Sequence, residues 1–278
     1  MTDIVIIGAS GFIGSHLCRF LEQKKGVSLL PYGRRESPTL PLKNYRTVCH
    51  YEEIEVPRGA ILIHLAEENN IRRVAQHLGW YLNQTKSLAR FLLEQPISRA
   101  IYFSSAAVYG DRSIKTHAEE DAVDLTNTYA QLKFTVERLF LESGHTVVRP
   151  SNVYGEGMSK HNIFSAILKQ LDMKGPIRVD SLDSTRDFIQ VHDVVRGIQK
   201  LIEKPIAGVF NFGTGNKTTT RNLVQLFLNL TNQNDREIQA RDTNGTCSCN
   251  YLDYSKARKI LDWKPLINLR NGVKEFIV

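Results

Sequence analysis

The sequence predicts an α/β fold: a doubly wound parallel sheet with a smaller, discontinuous C-terminal lobe. Three observations predict it. Strand-like and helix-like stretches alternate through the first half of the chain. A glycine-spaced loop joins the first strand to the first helix. After about residue 155 the alternation becomes irregular.

"DIVIIG" is a short continuous apolar run, as in a strand covered on both faces. "GSHLCRFLEQKK" places Leu17, Phe20 and Leu21 at helical spacing. "VSLLPYG" and "AILIHLA" read as further buried strands. "LGWYLNQTKSLARFLLEQ" is a long amphipathic helix stopped by Pro96. "RAIYFSS" is a strand, "NTYAQLKFTVERLFLES" a helix ended by Gly144, and "HTVVRPSNVYG" a strand running into a loop. Between Gly33 and Ile61 the chain is rich in proline (Pro38, Pro41, Pro57, with Pro31 just before) and poor in helical periodicity. One covering helix is expected to be reduced to a loop there. Two more helices are expected near 162–172 and 219–232. The expected division is 1–155, with returning segments near 187–215, and 156–278.

The bulk numbers narrow the class. With 278 residues, 42% hydrophobic and 23% charged, the chain can bury a substantial core in one or two domains. No apolar run approaches the ~20 residues that span a bilayer, and "MTD" leads straight into a strand, so a cytoplasmic protein away from membranes is expected. The four cysteines (Cys18, Cys49, Cys247, Cys249) are scattered and read as reduced thiols. Cys247 and Cys249 have no second pair to complete a zinc site, so no metal is expected. The net charge of +7 suits a small anion such as a diphosphate. No basic stripe interleaved with aromatics is present, so nucleic acid is not expected as a partner.

Three motifs carry chemistry. "GASGFIGSHL" sets Gly8, Gly11 and Gly14 between a strand and a helix. Glycine permits the tight turn and lets backbone approach a pyrophosphate at the helix N-terminus. No Gly-Lys-Ser/Thr follows, so this is not a Walker A loop. "YAQLK" puts Tyr129 and Lys133 four residues apart on one helix face. A free tyrosine titrates near ~10 and shuttles protons poorly at neutral pH; a neighbouring ammonium stabilises the phenolate. "FSSAAVYG" lies where a wound-sheet strand ends, the place where such sheets bind ligands. Its Ser104 and Ser105 can offer a hydroxyl to a carbonyl, or merely cap a turn.

Together with "HLA", "RPSNVYG", "RDFIQVHDVV", "FNFGTG" and "DYSKARKILDWKP", in that order, these motifs make nearly the whole chain resemble the extended short-chain dehydrogenase/reductase family, in its nucleotide-sugar epimerase/dehydratase/reductase branch. The resemblance implies an N-terminal Rossmann fold that binds NAD or NADP and a C-terminal lobe that binds a nucleoside-diphosphate sugar. It implies Tyr129 as acid/base, Lys133 as the residue that tunes it and holds the nicotinamide ribose, and Ser105, four residues before Tyr109, as the catalytic hydroxyl. Cofactor contacts are implied at Gly8, Ser10, Gly11, Phe12, Ile13, Gly14, Arg34, Arg35, Leu65, Ala66 and Lys133. Substrate contacts are implied at Ser104, Asn152, Asn162 and Arg186. A bidentate guanidinium at Arg186 suits a diphosphate; the competing reading is a surface salt bridge with Asp183 or Asp187.

The chain departs from the family pattern in places. Ala106 and Ala107 stand where dehydratases of the family carry an Asp-Glu pair, which argues against dehydration. The cysteine that the family's GDP-fucose synthase uses for epimerisation has no counterpart in this segment, and His161 sits one position from that enzyme's histidine and reads as a loop residue. "RDTNGTCSCNYLD" matches the family's nucleotide-contacting segment poorly, which leaves the base open.

The cofactor follows from "VSLLPYGRRES". An acid at the end of the second strand grips the adenosine ribose hydroxyls in NAD-specific proteins. Here Gly33 occupies that region, and Arg34 and Arg35 follow. They would pair with a 2′-phosphate, or form a solvated basic loop. NADP(H) is expected in preference to NAD(H). The leading expectation is an NADPH-dependent reductase of a nucleoside-diphosphate keto-sugar, by preference a 4-keto-6-deoxyhexose of deoxysugar biosynthesis. A nucleotide-sugar epimerase and a non-catalytic NADP-binding sensor are the alternatives. A homodimer is expected through the helices near 79–95 and 128–143, with Phe91, Leu92, Phe134 and Leu141 supplying apolar surface.

Overall fold

A computed structural model describes residues 1–36, 41–68, 70–112, 114–241 and 248–277. Four fully buried residues, Ile4 to Ile7, form the centre of β1 (Thr2–Ile7). Their uninterrupted burial explains why the strand reads as a continuous apolar run: helices cover both faces. From β1 the chain passes through α1 (Phe12–Leu21) to β2 (Val27–Gly33), β3 (Arg46–Thr47) and β4 (Ile61–His64). Between β2 and β4 the described residues hold only β3 and one turn of 3₁₀-helix at Tyr51–Glu53, so a loop covers the sheet where a helix would. Pro38 lies outside the described residues. The chain continues through α2 (Ile71–Gln76), α3 (Leu78–Leu93), β5 (Arg99–Phe103), α4 (Thr128–Glu142) and β6 (Thr146–Pro150).

β7 (Asn152–Tyr154), α5 (Ile163–Leu171), β8 (Ile177–Val179), β9 (Thr185–Arg186) and β10 (Phe188–Gln190) follow. Then α6 (Val191–Glu203) returns the chain to the main sheet as β11 (Gly208–Phe212). The last elements are β12 (Thr218–Thr219), α7 (Thr220–Leu230), β13 (Ile238–Ala240), β14 (Cys249–Asn250), α8 (Ser255–Leu261) and α9 (Leu269–Lys274). The main sheet has seven parallel strands in the order β11-β6-β5-β4-β1-β2-β3. Strand order reverses between β1 and β4, and the crevice at their carboxyl ends is where such a sheet takes a ligand.

One core lies between the sheet and α1, α6 and α8, where Trp263 stacks on Phe212 at 4.6 Å. A second lies between the sheet and α3 and α4. A third, separate core joins α5, α7 and α9 around Phe164 and Phe227. Leu92, expected as outward apolar surface on α3, is fully buried in the second core. Phe91 and Leu141 pack partly against the same core, and Phe134 against the loop around Tyr109. No helix among the described residues is long and apolar enough to cross a membrane.

Candidate functional site

The glycine loop is built by sterics. Gly8 has φ +83°, and a Cβ there would come within 2.7 Å of the Leu65 carbonyl carbon. A Cβ on Gly14 would strike the Gly8 carbonyl oxygen, so helix and loop meet only through glycine. The α1 N-cap is Gly11, which has no side chain to satisfy the first-turn N–H groups. Those open donors, at the positive end of the helix dipole, suit a pyrophosphate.

A cleft of about 380 Å³ opens at the carboxyl ends of the strands. Gly8, Ser10, Gly11, Phe12, Ile13, Gly14, Arg34, Arg35, Leu65, Ala66 and Lys133 all line it, and so do Ser104, Ser105 and Tyr129. The sequence-derived cofactor residues therefore share one cavity. Gly33 closes β2 with no acid at its end, and the exposed Arg34 and Arg35 follow at the rim. The Arg34 guanidinium lies 5.6 Å from the Tyr51 ring centroid, and Tyr51 lines the same cleft. An adjoining cavity of about 600 Å³ is lined by Asn152, Asn162 and Arg186. Tyr129 lines both cavities and so stands where they meet.

Local structure aims these groups. Asn127 caps α4 by accepting from the Tyr129 N–H at 2.8 Å, which sets the tyrosine in the first turn of the helix. Lys133, one turn later, places its Nζ 5.9 Å from the Tyr129 ring centroid. Ser105 caps the 3₁₀ turn Ala106–Tyr109 by accepting from the Ala107 N–H at 3.1 Å, and its own hydroxyl hydrogen stays free to donate. Both readings of Ser105, cap and hydroxyl donor, are thus compatible. Ser104 is buried with an unpartnered Oγ and lines the cleft of the glycine loop, away from the three residues it was grouped with.

Those three residues are held differently. Asn152 donates to the Asp187 carbonyl at 3.2 Å. Asn162 caps α5 by accepting from the Ser165 N–H at 2.8 Å. Arg186 pairs with neither Asp183 nor Asp187: it donates to the carbonyls of Thr185 and Ser248 and to the Ser248 hydroxyl, with Asp111 at 3.7 Å. Asp187 is buried and accepts from Thr214 and Gly215; burial pushes its carboxyl up and those hydrogen bonds pull it back. His161 is exposed in the loop before α5. In "RDTNGTCSCNYLD", residues 242–247, Cys247 included, lie outside the described residues, and Cys249 is buried in β14.

Sequence reasoning missed a buried polar cluster behind the cleft. Glu67, just after β4, meets Lys133 and Tyr102. Burial pushes the Glu67 carboxyl up, and the Lys133 ammonium and the Tyr102 hydroxyl pull it back. Burial pulls the Lys133 ammonium down, but Glu67 and Tyr129 outweigh it and the group ends above the usual lysine range. The carboxylate has both neighbours within hydrogen-bond distance, Lys133 Nζ at 2.6 Å and the Tyr102 hydroxyl at 2.8 Å. The only signal in the sequence was a carboxylate directly after the buried run "ILIHLA".

A family model described as the NAD dependent epimerase/dehydratase family matches residues 4–213. The chain is 28% identical over 223 residues to a GDP-6-deoxy-D-talose 4-dehydrogenase of Aggregatibacter actinomycetemcomitans, covering 76% of this chain and 74% of that protein. A UDP-glucose 4-epimerase of Thermotoga maritima, solved with UDP-glucose, superimposes with a TM-score of 0.85 at 22% identity, covering 98% of this chain and 96% of that one. A Pseudomonas aeruginosa protein, RMD, solved with NADPH, superimposes with a TM-score of 0.83 at 24% identity, covering 99% and 97%.

Proposed function

The chain belongs to the NAD dependent epimerase/dehydratase family and is an NAD(P)-dependent oxidoreductase or epimerase; within that class we propose an NADPH-dependent reductase of a nucleoside-diphosphate keto-sugar, a 4-keto-6-deoxyhexose by preference. The observation that carries this reading is the rim of the cleft. Arg34 and Arg35 follow a strand end that has glycine where an NAD-specific protein has an acid. Two guanidinium groups suit a 2′-phosphate. A cofactor bearing that phosphate serves net reduction, which separates a reductase from an epimerase that returns its hydride. RMD, solved with NADPH, and a relative named as a GDP-6-deoxy-D-talose 4-dehydrogenase support the choice.

The glycine cradle, the open α1 N-terminus and a lysine facing the cleft fit a dinucleotide. When bound, it supplies the hydride. Ser105 donates a hydrogen bond to the keto oxygen, and Tyr129 gives that oxygen its proton as charge develops. Lys133 stabilises the phenolate left behind. Arg186, Asn152 and Asn162 bind the nucleotide end of the substrate in the adjoining cavity. The alanines at 106 and 107 supply no second acid or base for dehydration.

A panel of nucleoside-diphosphate keto-sugars, assayed by NADPH absorbance, tests the proposal. Stoichiometric loss of NADPH with one 4-keto-6-deoxy substrate is the expected result. The likeness to a UDP-glucose 4-epimerase favours a second reading. Interconversion of sugar epimers without net NADPH loss would replace the first reading with it. The complete Ser105, Tyr129 and Lys133 set argues against a non-catalytic sensor, which has no use for it.

A further inference from the structure

The proposed reaction makes no use of Glu67, yet this residue has the closest polar contact with Lys133. Glu67 Oε2 lies 2.6 Å from Lys133 Nζ, and the two side chains are 3% and 9% exposed. The Tyr102 hydroxyl, on β5, lies 2.8 and 2.9 Å from the two carboxylate oxygens and donates to them. Lys133 also donates to the Phe103 carbonyl at 2.8 Å. An ammonium has three N–H groups. Two are held, by Glu67 and Phe103, and one remains where Lys133 and Tyr129 line the cleft.

We propose that Glu67 is a positioning residue, which keeps Lys133 an ammonium in its buried position and fixes the direction of its one free N–H. The proposal rests on the reading of Tyr129 and Lys133 as an acid–base pair. A lysine buried without a partner gives up its proton readily. Glu67 prevents this: burial drives Lys133 toward the neutral amine, and the carboxylate more than offsets it. Stability gives little reason for the arrangement, since apolar side chains of similar volume usually replace a buried ion pair at no loss. The other charged or titratable groups around the pair are His64 on β4, Tyr102 on β5, and Tyr129 and Glu137 on α4. His64 is neutral, its pKa held to about 3 by burial, with Lys133 adding to the effect. It therefore supplies no competing cation.

The first experiment needs no substrate. The intact protein is labelled with acetic anhydride across a pH series, and the Lys133 peptide is quantified by mass against an exposed lysine of the same sample. Only the free amine reacts, so the pH at which labelling levels off reports Lys133 itself, whatever its burial. In the native protein Lys133 labelling should level off above the exposed lysine. In Glu67→Gln it should level off lower by about one pH unit or more, a tenfold change in free amine per unit. Glu67→Asp, which keeps the charge on a shorter arm, should fall between the two. A native Lys133 that levels off with or below the exposed lysine overturns the proposal without any variant. Identical curves in native protein and Glu67→Gln overturn it as well.

The second experiment is the pH profile of NADPH oxidation with the best substrate of the panel. Its alkaline fall should move down by about one unit in Glu67→Gln and largely return in Glu67→Asp. An unmoved profile beside a moved labelling curve overturns the catalytic part of the proposal. A moved labelling curve with no keto-sugar reduced supports the ion-pair part and sinks the reductase reading instead. The double variant Glu67→Gln, Lys133→Met removes both charges and controls for folding by circular dichroism.

Discussion

The Glu137 carboxylate on α4 and the Arg149 guanidinium on β6 form a two-bond ion pair inside the protein. Arg149 Nε donates to Glu137 Oε2 at 3.1 Å and its Nη2 to the other oxygen; the side chains are 0% and 5% exposed. Arg149 also lies 4.7 Å from the Tyr109 ring centroid, and the Tyr109 hydroxyl donates to Asn211 at 2.9 Å. The pair thus ties α4, which carries Tyr129, to the turn that begins at Ser105.

Breaking that pair from one side strands a buried charge. Glu137→Ala should lower unfolding stability by about 3–5 kcal/mol. The double variant Glu137→Leu, Arg149→Met should lose much less, because neither charge remains to be desolvated. Urea unfolding of the three proteins checks this; equal losses would refute the argument.

His64 makes stability depend on pH. It is fully buried, and its Nδ1 accepts from the Ala66 N–H at 3.3 Å, so the remaining proton is on Nε2, which has no hydrogen-bond partner. Glu67 at 4.0 Å does not make it an ion pair, because burial lowers its pKa to about 3 and the ring is neutral. Between about pH 6.5 and 3 the unfolded chain binds a proton here that the folded chain does not. Stability is therefore complete above that window and falls as pH drops through it, by about 1.4 kcal/mol per unit from this residue. His64→Leu should flatten that part of the urea-unfolding stability profile between about pH 7 and 5.

Arg34→Ala or Arg35→Ala should erode the preference for NADPH over NADH, each by about 1.5–3 kcal/mol if its contact with the 2′-phosphate is direct. Fluorescence titration with both cofactors measures it. A native protein that binds the two equally well would refute the NADP assignment.

Tyr129→Phe should cut turnover by ~100-fold or more and leave NADPH affinity nearly unchanged, since the ring that lines the cleft stays in place. Steady-state kinetics and a binding titration separate the two effects. A variant with native turnover would remove Tyr129 from the reaction.

α3 and α4 pack side by side, and Trp80 on α3 is 59% exposed. We expect an isologous dimer through these two helices. Light scattering at micromolar concentration should give twice the chain mass, and Trp80→Glu should weaken the association. A monomeric native protein would count against it.

The sequence by itself determined what depends on neighbours along the chain. Continuous burial on both sheet faces made β1 legible as an apolar run, and helical spacing made α1, α3 and α4 legible. The turn at Gly8 was legible because only glycine tolerates its geometry. Tyr129 and Lys133 share a face because helix geometry alone puts i and i+4 together. Tertiary structure decided everything that joins distant segments. Arg186 had two acids close by in sequence, yet backbone pairing of β9 with β14 presents Ser248 to it, and Asp187 turns inward to Thr214. Leu92 had the right spacing for an outer face, but the packing of α3 on the sheet buried it. Glu67 reaches Lys133 only because β4, β5 and α4 converge at the end of the sheet. Local periodicity records which face of an element is buried; it does not record which element covers that face, and the charge partners follow from the covering.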